Sequence, residues 1–327
     1  MKRVQVAGFP LFMEIDKKIQ KSNGNYRIKG RMPLYKDEEV IVCQYCQADP
    51  SECGEWEECC YNGVIREMQK KGEFVMQYQG GKSRISKQIV EVIENEILRW
   101  QEQNSKINSC GYRERERESN CDTLVSLFCG SCSIESKVNI PNKICNDKHL
   151  YLIAMWQGLQ NGWIPPDVIT EDEYKYIREH KDENPALTGF VGFGCSFGGK
   201  WFGGLARNKK GDNYCAIANR SLLKDFEGLK NAQFTCLDYK DVPIPKGAIV
   251  YADPPYENTT GYSLGRFDSN EFWQYMRKLS KDHVVLISEQ TAPNDFEAIW
   301  EQELTRKLDV NKENNFKVTE KLFKWKG

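Results

Sequence analysis

Several common classes of protein are poorly served by this sequence. It holds three histidines, His149, His180 and His283, and they share no metal-ligand spacing. No nucleophile stands beside a base in a Ser/His/Asp arrangement, as hydrolysis through a covalent intermediate requires. No apolar run approaches the roughly 18 residues of a membrane span. The start, Met1-Lys2-Arg3-Val4-Gln5-Val6-Ala7-Gly8, lacks the apolar stretch of a secretory leader. The expectation is a soluble, cytoplasmic protein with no membrane partner. Charge of one sign is also lacking: 46 Lys and Arg face 47 Asp and Glu, for a net charge of -1. A nucleic-acid binder of this composition must gather its cations on one face, because phosphate contacts supply most of the affinity. There is no internal repeat and no low-complexity tract.

What is present is ample core material, with hydrophobic residues at 40% of 327. That length suits one large domain, or a core domain with a smaller attachment. Cysteine is abundant, at 13 residues. The odd count and the intracellular expectation argue against complete disulfide pairing. Cys43, Cys46, Cys53, Cys59 and Cys60 crowd one short stretch. Cys43 and Cys46 have zinc-ligand spacing, while Cys53 and Cys59 complete the set less regularly. Two readings stand side by side: a structural zinc held by these four, or unligated thiols. A zinc would hold folded a segment with little core of its own. The other eight cysteines read as small buried apolar residues. Residues 1–72 therefore form a Cys-rich N-terminal appendage, and 73–327 a main domain.

Within the main domain, apolar residues from Ile85 to Leu98 recur at helical spacing. The alternating Arg113 to Glu118 run reads as a solvated helix end or loop. Short apolar strands are predicted at 123–128, 143–146, 233–237, 248–252 and 284–288, with helices after Asp147 and over 270–281. The stretch 315–325 alternates and predicts a terminal hairpin. Residues about 157–215, rich in Gly, Pro and aromatics, read as an insertion. Strands alternating with helices, with special residues where strands end, indicate an open, mostly parallel α/β sheet.

The most informative strand end is Tyr251-Ala252-Asp253-Pro254-Pro255-Tyr256. Two prolines stiffen the backbone and remove two N–H donors, leaving carbonyls as fixed acceptors. An aromatic amine is a poor nucleophile because its lone pair is delocalised into the ring. A carboxylate and a carbonyl that accept its two hydrogens favour a more nucleophilic nitrogen, and Tyr256 can stack on the base. An ordinary strand end with a Pro-Pro turn is the bland alternative. This segment resembles the catalytic motif of the amino-methyltransferases. Asp at its first position, with Thr259 and Tyr262 following, is similar to the Dam-like (D12 class) adenine-N6 DNA methyltransferases. The resemblance implies a Rossmann-like, S-adenosylmethionine-dependent methyltransferase sheet with an inserted target-recognition region.

Four further segments follow the family's order. Gly80-Gly81-Lys82-Ser83 could suggest a phosphate loop, but Met76 stands where the first P-loop glycine is needed. By the resemblance, Tyr78, Gly80, Gly81 and Lys82 line the methionine end of the cofactor pocket. Phe128-Cys129-Gly130-Ser131-Cys132 resembles the family's Phe-x-Gly-x-Gly loop. Here Cys132 replaces the second glycine, and Ser126 stands where an acid is often found. Asp147 ends the next strand, where an acid binds ribose hydroxyls across many such folds. A plain helix N-cap is the competing role. Asp238 and Tyr239 match a pair placed near the cofactor's adenine. The resemblance thus implies a cofactor site of Tyr78, Gly80, Gly81, Lys82, Phe128, Gly130, Asp147, Asp238, Tyr239 and Asp253, and a catalytic set of Asp253, Pro254, Pro255 and Tyr256.

A target adenine must be flipped from the duplex to be reached. The segment from Phe190 to Arg207 mixes aromatics, glycines and cations, and Lys200, Trp201, Arg207, Lys209 and Lys210 are the candidate DNA contacts. A Gly-rich core hairpin is the equal alternative. The absence of a Pro-Cys dipeptide excludes the covalent route of cytosine-C5 methylation. A catalytically silent DNA-binding protein of the same fold, an RNA amino-methyltransferase and a nuclease fusion are the rival readings. Asp253 argues against the RNA enzyme, and the size of the appendage against the fusion. DNA is the expected partner, with a cognate restriction enzyme as a further one and a monomer or weak dimer as the state.

Overall fold

The computed structural model describes the strands at 2–5, 12–20, 26–31 and 39–42, together with residues 78, 80–103, 106–107, 113–114, 121–208, 211–255, 267–307 and 315–327. The cysteines at 43, 46, 53 and 59, Tyr256, Lys209 and Lys210 lie outside them. The chain divides into two compact units, Met1–Phe74 and Val75–Gly327.

The first unit carries an antiparallel meander of β1 (Lys2–Gln5), β2 (Phe12–Gln20), β3 (Tyr26–Arg31) and β4 (Glu39–Val42). Sequence periodicity did not announce it. A bulge between Ile15 and Lys17 shifts the register of β2, which breaks the period-two alternation a strand would otherwise show.

The second unit opens with α1 (Ser86–Gln103) and two short strands, β5 (Lys106–Ile107) and β6 (Arg113–Glu114). Then come β7 (Thr123–Ser126), β8 (Asn142–Asn146) and α2 (Leu150–Gln160). Helices α3 (Glu171–Glu179), α4 (Pro185–Gly189) and α5 (Tyr214–Phe226) follow. The chain ends with β9 (Gln233–Thr235), β10 (Ile249–Ala252), α6 (Ser269–Leu279), β11 (Val284–Glu289), β12 (Phe296–Lys307) and β13 (Asn315–Trp325). Seven strands form one sheet in the order β12-β13-β11-β10-β7-β8-β9. The five from β9 to β11 are parallel, and β13 runs antiparallel to β11 and β12.

Strands β7 and β10 are buried at every position, as a parallel sheet covered on both faces demands. Side-chain alternation sorts them. Leu124, Ile249, Tyr251, Leu286 and Leu322 pack with Ile89, Ile93 and Ile97 of α1. Val125, Val250, Val285 and Ile287 pack with Phe272 and Met276 of α6. The result is a three-layer α/β sandwich of Rossmann type. From β7 the chain builds outward through β8 and β9, then returns to place β10 on the other side of β7. That reversal opens a crevice at the carboxyl ends of β7 and β10, the place where such sheets bind ligands.

The 157–215 region is not a separate lobe. Phe190, Val191 and Cys195 share one core with Met155 and Trp156 of α2 and Phe234 of β9. Helix α3 starts with a reciprocal capping box between Thr170 and Glu173, the arrangement that satisfies two orphan N–H groups at once. Among the described residues, no helix is long and apolar enough to cross a membrane.

Candidate active site

Strand β10 lies between β7 and β11 and ends abruptly, because Pro254 and Pro255 have no N–H to extend the ladder. The strand therefore hands Asp253 to the carboxyl edge of the sheet. Lys82 meets it there. Gly80 adopts φ +86° and the Gly81 N–H donates to the Tyr78 carbonyl at 2.9 Å, so the chain turns tightly just before α1. Lys82 is 5% exposed, and its Nζ donates to Asp253 Oδ1 at 2.8 Å. A second carboxylate, Glu320 of β13, stands 3.6 Å from the same Nζ. Lys82 is thus buried between two carboxylates, while Asp253 keeps a fifth of its side chain open to solvent.

The loop after β7 supplies the next wall. Gly130 has φ +50°, and its N–H donates to Asp147 Oδ2 at 3.1 Å. The other Asp147 oxygen accepts the His149 N–H at 2.8 Å. Desolvation of its enclosed carboxyl pushes the Asp147 pKa up to about 6, against the lowering effect of those two donors. The carboxylate thus braces the loop that it faces, and α2 begins without a side-chain cap. Cys132, standing where the resemblance has a second glycine, takes φ +51°. A side chain in that left-handed conformation costs about 1 kcal/mol, so the turn a glycine would make is kept at some expense. The thiol does not enter the crevice; it is fully buried with Cys129 and Cys145 in the core.

Aromatic rings enclose the loop on two sides. The Tyr78 ring lies against Gly130, where an added Cβ would sit 2.9 Å from Cε1, and packs on Phe193 at 5.0 Å between centroids. Phe128 packs on Tyr239 at 5.3 Å, and Tyr239 in turn meets Phe272 and Tyr275. Asp238, beside it, is bridged by Lys148 Nζ at 3.0 Å. The structure therefore gathers Tyr78, Gly80, Gly81, Lys82, Phe128, Gly130, Asp147 and Asp253 at the carboxyl edge of the sheet, with Asp238 and Tyr239 joining from the loop after β9 through the Phe128 ring.

Two residues escaped sequence reasoning. Asn146 ties three strand ends: its Nδ2 donates to the carbonyls of Leu127 and Leu237, and its Oδ1 accepts from Thr235 and the Leu237 N–H. A polar residue ending a buried strand was the available signal. Glu135, 2% exposed, accepts a hydrogen bond from the Ser126 hydroxyl. The carboxyl absent from residue 126 is thus brought to the same strand end from nine residues further on. Desolvation is the largest influence on Glu135, raising its pKa to about 7; the Ser126 bond lowers it and the Asp253 charge raises it. Glu289 is likewise raised to about 7 by desolvation, with Asp253 and Glu320 adding to the rise.

In the 190–207 segment most aromatics pack inward. Phe190 and Phe193 are buried. Trp201 is part-buried against His149 at 4.3 Å and Tyr151 at 5.6 Å, and only a glycine at 192 leaves room for its ring. Phe197 is the exception, at 66% exposed. It begins an eight-residue loop closed by its own N–H to the Gly204 carbonyl at 2.8 Å. Lys200 and Arg207 are exposed nearby, and Arg207 lies 3.3 Å from Glu171.

Residues 78–191 match the family described as D12 class N6 adenine-specific DNA methyltransferase, which is the resemblance carried by the Gly-Gly-Lys segment, the loop after β7 and Asp147. Among solved structures, the chain is similar to SMU.472, a candidate methyltransferase complexed with SAH, at 11% identity and a TM-score of 0.23. That match covers 63% of this chain and 48% of the other, so it spans about half the length of that protein.

Proposed function

We propose that this chain transfers the methyl group of S-adenosylmethionine to N6 of an adenine flipped out of duplex DNA. The observation that carries the reading is the meeting of Lys82 and Asp253, 171 positions apart, at the mouth of the crevice between β7 and β10. The match to the D12 family over residues 78–191 supports it.

The residues present fit such a cofactor. Asp147 offers carboxylate oxygens at the end of β8 for ribose hydroxyls, the hydrophobic Phe128 and Tyr239 rings suit an adenine ring, and Gly80 and Gly81 let backbone approach closely. When bound, the cofactor supplies an electrophilic methyl on a sulfonium. Asp253 accepts one hydrogen of the N6 amine and the Pro254 carbonyl accepts the other, drawing the nitrogen lone pair out of conjugation. Transfer would form the N6–C bond at the expense of the C–S bond of the bound cofactor, and the Asp253 carboxylate would take the proton lost from nitrogen. Lys82 holds that carboxylate in place, and Pro255 fixes the backbone behind it. Tyr256 stacks on the base. Positioning supplies most of the acceleration. Phe197, Lys200 and Arg207 are the proposed DNA contacts, whereas Trp201, expected from the sequence to join them, packs inward on His149 and Tyr151 and supports the loop that carries Phe197. A restriction enzyme reading the same site is a partner compatible with this activity, and a monomer suffices for it.

The test is transfer of labelled methyl from S-adenosylmethionine to unmethylated duplex DNA, with nucleoside analysis. N6-methyladenine is expected from the wild type. Asp253→Ala should lose transfer at least about 1,000-fold while binding cofactor. Wild-type-like turnover by that variant refutes the assignment. Cofactor binding without transfer to duplex DNA would point to RNA or single strands. Absence of both would favour a silent DNA-binding protein.

A further inference from the structure

The carboxy-terminal hairpin reaches the crevice through one side chain. Glu320 of β13 is 1% exposed, a costly place for a carboxylate unless it is paired and hydrogen-bonded. Its Oε1 accepts from the Ser288 hydroxyl at 3.0 Å and stands 3.6 Å from Lys82 Nζ. The Lys82 ammonium is thus held between Glu320 on one side and Asp253 Oδ1, at 2.8 Å, on the other. Among the described residues, Glu135 and Glu289 are further carboxyls that feel the Asp253 charge, and the buried Tyr251 phenol, held neutral by desolvation, feels Asp253 and Glu320. A second β13 contact anchors the strand: Lys324 Nζ donates to the buried Glu96 of α1 at 2.6 Å. Lys82 stands just ahead of α1 and Glu96 lies in its second half, so β13 meets this segment at two points.

We infer that Glu320 is a positioning residue for the proposed transfer: it fixes the Lys82 ammonium, and through it the direction in which the Asp253 carboxylate points. A lysine side chain has four rotatable bonds and many rotamers. Beside Asp253, the Lys82 Nζ also donates to the Gly80 carbonyl, a long bond of 3.4 Å that fixes it less firmly than a second carboxylate does. Glu320, set by Ser288 on a sheet strand, makes Lys82 a fixed post. Sharing the ammonium also leaves Asp253 more free to accept from a substrate amine. Misplacement of a reacting group by about 1 Å can cost on the order of 100-fold in rate.

This inference rests on the proposed methyl transfer, and its test separates the two. Glu320→Gln keeps the shape and an acceptor for Ser288 but removes the charge; Glu320→Asp keeps the charge on a shorter arm. Expected for Glu320→Gln is a kcat about tenfold to 100-fold lower, with the Kd for S-adenosylmethionine within about twofold of wild type. Glu320→Asp should recover part of the loss. In a Lys82→Met background, Glu320→Gln should add nothing, because its effect passes through Lys82. Unchanged kcat, or an equal loss in both backgrounds, overturns the inference. Should the wild type transfer methyl to no nucleic acid at all, the proposed function fails, and crystal structures of wild type and Glu320→Gln decide the positioning role. A displaced Lys82 ammonium and Asp253 carboxylate support it, and an unmoved pair overturns it.

Discussion

Gly130 and Gly162 permit a controlled measurement of how tightly the crevice loop is built. Both have φ in the left-handed region, at +50° and +81°. Alanine at either position should cost about 1 kcal/mol for that conformation. At Gly162, just past the end of α2, an added Cβ meets nothing within 4 Å, so the conformational cost is the whole effect. At Gly130 the new Cβ would lie 2.9 Å from Tyr78 Cε1 and 3.3 Å from Cζ. The ring cannot slide away freely, because Phe193 packs on it. Overpacking of this kind costs about 1–3 kcal/mol more. At about 2–4 °C per kcal/mol for a domain of this size, Gly162→Ala should lower the thermal midpoint by about 2–4 °C. Gly130→Ala should lower it by about 4–16 °C. Calorimetry or circular dichroism reads the midpoints, and titration calorimetry reads S-adenosylmethionine affinity. Gly130→Ala should weaken that affinity about tenfold or more, since the Tyr78 ring and the loop must part, whereas Gly162→Ala should leave it unchanged. Equal midpoints and equal affinities in the two variants would refute the packing of Tyr78 over the loop.

Two other expectations concern charge and surface. Glu135 has a folded pKa of about 7 against an ordinary value of 4.5. A raised carboxyl pKa means that the folded state holds its proton longer, so the contribution is full below about 4.5 and is lost as pH rises through about 7. Wild type should therefore lose stability relative to Glu135→Gln between about pH 4.5 and 7 in denaturant titrations, and a pH-independent difference would contradict the burial of that carboxyl. Phe197→Ala should weaken duplex DNA binding by about 1–3 kcal/mol, the worth of one base–aromatic contact, with midpoint and cofactor affinity unchanged. Undiminished binding in a mobility-shift titration would remove Phe197 from the DNA-facing side.

Much of the parallel sheet was legible because its signals are local. Buried parallel strands read as short apolar runs. Thus 249–252 and 284–289 were expected within a residue or so, and the Ile-rich spacing of α1 marked a helix resting on the sheet. Asp-Pro-Pro also stated its own position, since prolines end a ladder wherever they fall. The meander of the first unit was not legible, because charges and a bulge blur its alternation.

The residue types at the crevice, and their order along the chain, were set by sequence: Gly-Gly-Lys, a Gly loop after a strand, an acid after the next strand, then Asp-Pro-Pro-Tyr. Tertiary structure alone decided their partners. Lys82 and Asp253 become an ion pair only because α1 packs across the sheet beside the end of β10. Glu135 supplies a carboxyl near Ser126 only because its loop folds back under the strand. Glu320 reaches Lys82 only because β13 enters the sheet antiparallel beside β11. No local pattern encodes a pairing between positions this far apart. Strand order and the packing of helix on sheet bring them together, and those follow from burying the whole chain's apolar surface at once.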